Sequence, residues 1–140
     1  MAKIIAIDFG IKRTGLAETD ELKIIASGLE TVPTNQLMVF LERYVSNENV
    51  EAFVIGQAKR MSGEDSDVEV NILDFIKHLT KKFPTIPIHR QDERFTSKLA
   101  LDAMISGGVK KKDRRNKQKG IVDKVSAVLI LQSFLENRLL

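Results

Sequence analysis

The stretch KIIAIDFGIKRTGLAET, residues 3–19, is apolar from Ile4 to Ile7, meets a carboxylate at Asp8 and turns at Gly10. A short apolar run closed by a glycine turn reads as a buried β-strand. A carboxylate at the end of such a strand is costly unless something pairs with it. Working outward, TGLAET (14–19) alternates weakly, and LKIIASGLETV (22–32) is a third strand candidate, with TDE as the turn between them. Three strands with short connections predict an antiparallel meander.

After Pro33 the period changes. Thr34 can cap a helix that runs to about Ser46, with Leu37, Leu41, Tyr44 and Val45 on its inward face. EAFVIG (51–56) is a short strand ending in glycine, and QAKRMSGEDSD (57–67) is a polar loop. A second helix, from Ser66 or Asp67 to Lys82, carries the stripe Ile72, Phe75, Ile76 and Leu79. Ile86 to Gln91 is another strand, followed by DERFTS (92–97). Thr96 can cap a third helix with Leu99, Ala100, Ala103 and Met104 on one face, closed by Gly107 and Gly108. From Gly120 a long helix reaches about Asn137 and would turn Val122, Val125, Leu129 and Ile130 inward. The order β-β-β-α-β-α-β-α-α predicts an α/β fold, a mixed five-stranded sheet with helices packed on it and right-handed crossovers.

A chain of 140 residues fits one domain, 1–140, with enough core to need no covalent or metal staple. The absence of cysteine excludes disulfides, zinc–thiolate sites and a cysteine nucleophile. No stretch has the ~20 apolar residues of a membrane span, and no signal-peptide layout opens the chain. A cytoplasmic protein without a membrane partner is the expectation. The net charge is +3, unevenly placed: KKKDRRNKQK (110–119) holds seven basic residues against one acid, +6, so the rest of the chain is −3. Such a segment suits a polyanion such as nucleic acid, and equally reads as a solvated loop.

In open α/β sheets, sites form at the carboxyl ends of strands. Asp8 ends the first strand, Glu93 with Asp92 beside it ends the last, and Asp123 opens the final helix after the basic segment. Converging carboxylates repel unless cations lie between them. An oxygen-only set without cysteine or nearby histidine suits Mg²⁺ or Mn²⁺. Two such ions, about 4 Å apart, can clamp a phosphodiester and activate water. Each acid also has a plainer reading. Asp8 can initiate the glycine turn, Asp123 can answer the helix dipole, and Asp92 and Glu93 can pair with Arg94 at the surface.

At these residues the chain resembles the YqgF-type, or RuvX-like, proteins, described as Holliday junction resolvases and as pre-16S rRNA nucleases. The resemblance is carried by AIDFGIKRTGLA (6–17), VIGQAKRMSGE (54–64), DERFTS (92–97) and KGIVDKVSAVLILQSFL (119–135), which span nearly the whole chain in order. It implies a single RNase H-like nuclease domain with strand order 3-2-1-4-5. It further implies metal-binding catalytic acids at Asp8, Glu93 and Asp123, with two Mg²⁺ or Mn²⁺ ions. The expected activity is phosphodiester hydrolysis, on a structured RNA precursor or on branched DNA, by a monomer or homodimer. Asp8 is expected to bridge the ions, Glu93 to ligate one and orient water, and Asp123 to complete the other shell. The loop GQAKRMSGEDSD (56–67) departs from the family by lacking its Gly-Leu-Pro, which bears on substrate contacts and not on the acids.

Lys12 and Arg13 can hold the scissile phosphate or sit in a solvated turn, and Arg94 can contact phosphate or pair with Asp92. Lys110, Lys111, Lys112, Arg114, Arg115 and Lys117 would grip nucleic-acid backbone without reading sequence. His78 and His89 read as solvent-facing. IDFGIKRTG also resembles the first phosphate loop of actin-like ATPases and sugar kinases, but those duplicate the domain and no second phosphate motif is visible here. The stronger alternative is a non-catalytic nucleic-acid- or ribosome-binding module that keeps the RNase H-like fold.

Overall fold

The computed structural model describes residues 2–20, 25–57, 67–92 and 118–138. Strands β1 (Lys3–Asp8), β2 (Arg13–Thr19) and β3 (Ala26–Pro33) are followed by a 3-10 turn (Thr34–Gln36) and helix α1 (Leu37–Asn47). Then come β4 (Val50–Gln57), α2 (Glu69–Lys82), β5 (Ile88–Asp92) and α3 (Gln118–Arg138). The five strands form one sheet in the predicted order β3-β2-β1-β4-β5. β1–β2 and β2–β3 pair antiparallel, while β1–β4 and β4–β5 pair parallel. Among the described residues no helix is long and apolar enough to cross a membrane.

β1 is central, and Ile4, Ile5, Ala6 and Ile7 are all fully buried, which explains why this strand is continuously apolar rather than alternating. The pleat divides it between two cores. Ile5 and Ile7 join Phe53 and Ile55 of β4, Leu37 and Leu41 of α1, and Ile72 and Leu79 of α2. Ile4 and Ala6 face the other way, with Ala52, Val54 and, from α3, Ala127, Ile130 and Leu131. Helices therefore cover both faces, α1 and α2 on one and α3 on the other.

Several boundaries differ from the sequence reading. Thr34 does not cap a helix: it lies in the 3-10 turn, and α1 begins at Leu37. β5 begins at Ile88, not Ile86. Pro87 has no N–H for the ladder, though its carbonyl accepts from Phe53 N at 2.9 Å. The α3 stripe is rotated. Ala127 and Leu131 are fully buried beside Ile130, while Val125 and Leu129 are half-buried. α3 passes over Gly28 of β3, where an added Cβ would be in ordinary contact, 3.6 Å from Lys124 Cβ. The third helix expected after Thr96 and the inward Val122 side chain lie outside the described residues.

Tyr44 ties α1 to β2 by donating its hydroxyl to Glu18. Burial, reinforced by that hydrogen bond, holds the phenol well above its ordinary pKa, so it stays a donor. On α3, Ser126 is 2% exposed and its Oγ has no hydrogen-bond partner among the described residues. A buried hydroxyl without a partner carries a desolvation cost of roughly 1–3 kcal/mol. Ser126→Ala is therefore expected to raise the unfolding free energy by about 1 kcal/mol in urea titration; a loss of stability would show that the hydroxyl is paired in solution.

Candidate functional site

The carboxyl ends of β1, β4 and β5 lie at one edge of the sheet. Asp8 is paired with Gly15 of β2. The preceding residue, Ile7, is level with Ile55, while Gly56 and Gln57 are level with Gln91 and Asp92. Asp8 thus stands beside Gly56 near the last row of the sheet. By alternation it shares the side of Ile4 and Ala6, which is the side covered by α3. Position 123 lies on α3, the helix whose Ala127, Ile130 and Leu131 pack on that side of the sheet. Asp8 and α3 are therefore on the same side of the sheet. Glu93 and Arg94 directly follow the last described residue of β5, and with Lys110, Lys111, Lys112, Arg114, Arg115 and Lys117 they lie outside the described residues. Among the described residues no three His, Cys, Asp or Glu stand close enough to hold a metal ion. Asp8 supplies one hard oxygen donor at the edge.

The turn after Asp8 is held by residues distant in sequence. A Cβ on Gly10 would come within 2.3 Å of Arg13 O, so only glycine fits without a backbone shift. Thr34 Oγ1 donates to Gly10 O at 2.6 Å, and Thr34 N donates to Lys12 O at 3.0 Å. With its hydrogen committed to Gly10, Thr34 accepts from Thr14 Oγ1 at 2.9 Å. The turn is thereby fixed while Ile11 and Lys12 stay exposed and Arg13 is half-buried. Gly10→Ala is expected to destabilise the fold by about 1–3 kcal/mol, the usual cost of forcing an atom into filled space. An unchanged urea midpoint would mean that the turn relaxes freely.

Two further residues at this edge were not singled out in the sequence. Arg90 of β5 spans to Glu69 in the first turn of α2, with Nη2 to Oε1 at 2.7 Å and Nη1 to Oε2 at 3.1 Å. The same guanidinium donates to Gly56 O from Nη2 at 3.0 Å and to Ile55 O from Nε at 3.3 Å. Glu69 is 4% exposed and Arg90 is half-buried, so this is a largely buried, bidentate ion pair.

On the α1–α2 side, a cleft of about 690 Å³ runs past Phe9, Ile11, Met38, Asn71 and Phe75. The Phe9 and Phe75 rings are 5.3 Å apart. It lies on the other side of the sheet from Asp8's row. His78 is exposed at the cleft wall, its Nδ1 2.9 Å from Asp74 O. His89 is exposed, as expected, yet its ring rests 5.1 Å from Phe134 of α3.

Three comparisons bear on this arrangement. A family model described as "RuvX: Holliday junction resolvase" matches residues 2–137. A protein of Christiangramia forsetii named "Putative pre-16S rRNA nuclease" is 56% identical over 135 residues, covering 96% of this chain and 98% of the relative. A protein of the same name from Phocaeicola vulgatus is 53% identical over 138 residues, covering 99% and 98%. Among solved structures, the Fowlpox virus resolvase in complex with substrate Holliday junction DNA superposes with a TM-score of 0.61 at 16% identity, covering 99% of each chain. T. thermophilus RuvC in complex with a Holliday junction substrate gives 0.57 at 17% identity, covering 99% and 96%. At such identities the two structures establish a shared fold and nothing finer.

Proposed function

Because the chain belongs to the RuvX family, we propose that it is a divalent-metal-dependent endonuclease that hydrolyses phosphodiester bonds in structured nucleic acid. The observation that carries this reading is the position of Asp8. It is a carboxylate at the end of the central strand, at the sheet's carboxyl edge, on the side covered by α3. Asp8, Glu93 and Asp123 are the residues that would hold the metal, as an all-oxygen donor set fitted to Mg²⁺ or Mn²⁺. When bound, such ions polarise the phosphoryl oxygens and lower the pKa of a coordinated water.

The chain's own residues supply position and charge. β1 is paired on both sides up to Ile7 and Asp8 itself pairs with Gly15 of β2, so the carboxylate needs little reorganisation when substrate arrives. Glu93 orients the attacking water and takes its proton. Water oxygen bonds to phosphorus as the P–O bond to the leaving group breaks, and the leaving oxygen is protonated from solvent. Lys12 and Arg13, on the turn pinned by Thr34, offset the negative charge of the phosphate. Arg94 extends the same contact. Lys110, Lys111, Lys112, Arg114, Arg115 and Lys117 hold the flanking backbone without reading bases.

The names of the relatives point to a 16S rRNA precursor, and the titles of the structural neighbours to branched DNA. A cleavage assay on 5′-extended 16S precursor and on four-way DNA junctions, in Mg²⁺ and in Mn²⁺, separates the two. Cutting of either supports the nuclease reading and names the substrate. Cutting of neither, with binding retained, favours the non-catalytic module. Neutralising the six basic residues between 110 and 117 is expected to flatten the salt dependence of binding by roughly 0.7–0.9 units of log–log slope for each phosphate no longer neutralised. An unchanged slope removes that segment from the interface.

A further inference from the structure

We propose that Arg90 is a positioning residue for the metal-holding edge, acting through the carboxyl ends of β4 and β5; this rests on the nuclease reading above. Arg90 lies on β5 level with Ile55 and on the α1–α2 side of the sheet. From there its four donated hydrogen bonds join three chain segments: the end of β4 at Ile55 and Gly56, the start of α2 at Glu69, and β5 itself. Gly56 follows Ile55, the β4 partner of Ile7, as Asp8 follows Ile7, and Arg90 is three residues ahead of Glu93. One planar group therefore links the backbone next to the first acid to the strand that leads into the second. The polypeptide between β4 and α2 leaves and re-enters this edge at residues held by the same guanidinium.

Stability alone is a poor reason for this pair. Replacing a buried ion pair by apolar residues of similar size is often neutral or stabilising, whereas removing one partner leaves an uncompensated charge. The retained guanidinium does something apolar side chains cannot: it bonds two strand-end carbonyls and a carboxylate at once. Lysine cannot reproduce this, because its ammonium is a point donor without the planar fork. Glu69 adds its own constraint, since a carboxylate in the first turn of α2 is favoured by the helix dipole and resists displacement. The arrangement corresponds to an outer-shell support, in which residues that never touch a metal fix the groups that do.

The test compares the full chain with Arg90→Lys, Arg90→Met and the double variant Arg90→Met/Glu69→Met. Mn²⁺ affinity is measured by calorimetry and stability by urea unfolding. Arg90→Met alone is expected to be destabilised by the orphaned Glu69. The double variant removes both charges and is expected to recover cooperative unfolding near the wild-type midpoint. Its Mn²⁺ affinity is nevertheless expected to stay about 10–100-fold weaker, the range seen when an outer-shell partner is removed. Arg90→Lys should keep part of the stability and show a similar loss of affinity. A folded double variant that binds Mn²⁺ as tightly as wild type overturns the positioning role and leaves the nuclease reading standing. A wild-type chain that binds no Mn²⁺ overturns the nuclease reading, and this role with it.

Discussion

Phe53→Ala is expected to lower the unfolding free energy by about 3–5 kcal/mol, the usual range for truncating a fully buried phenylalanine. Phe53 is 0% exposed on β4, level with Ile5 of β1 and Ile88 of β5, so it lies at the middle of the parallel half of the sheet. Its ring packs 5.7 Å from Phe83, the residue that closes α2. Removing it opens a cavity beneath α2 that three hydrogen-bonded strands cannot close by moving together. Both the transfer loss and the unfilled volume therefore register. The measurement is urea unfolding with the slope compared between variants, since a constant slope shows that the midpoint reports stability. A loss under about 1 kcal/mol would mean that the site collapses around the smaller side chain, contrary to the packing of β4 beneath α2.

The sheet was legible in the sequence because its central strands carry their own signature. Ile4 to Ile7 and Phe53 to Ile55 are buried on both faces, so they read as unbroken apolar runs bounded by Gly10 and Gly56. The mixed sheet followed from the β-β-β opening and the later strand–helix alternation, and its strand order from the family resemblance. Features decided by distant partners were not legible. Thr34 sits where a cap is expected, but its hydroxyl is used by Gly10, 24 residues earlier, which no local rule detects. Arg90 and Glu69 are 21 residues apart, and each alone reads as an ordinary surface charge. The rotation of α3 was missed because Ala127 gives a weaker apolar signal than Val125 or Leu129, although it is fully buried and they are half-buried. Of the candidate site, the place of Asp8 at a strand end was legible from the stretch IIAIDFG. Its company depends on which strand and which helix face reach the same edge.

Asp8→Asn is the second large effect. The change keeps the size and hydrogen-bonding shape of the side chain and removes its charge. Outer-shell partners typically cost about 10–100-fold in metal affinity, so loss of a ligand is expected to cost at least ~100-fold. Cleavage should fall with it, since the chemistry proposed here has no other means of activating water. The metal-free variant is expected to be at least as stable as wild type, because the carboxylates of the proposed set would repel in the absence of a cation. A variant that lost metal binding through unfolding would show the opposite, a lower urea midpoint.

Calorimetric titration of Mn²⁺ into the wild-type chain and into Asp8→Asn, with both shown to be folded, tests the carboxylate site most directly. The expected result is saturable binding by wild type and none, or at least ~100-fold weaker binding, by Asp8→Asn. Equal Mn²⁺ binding by the two chains, or no binding by either, would contradict the assignment of Asp8 to a metal-holding set.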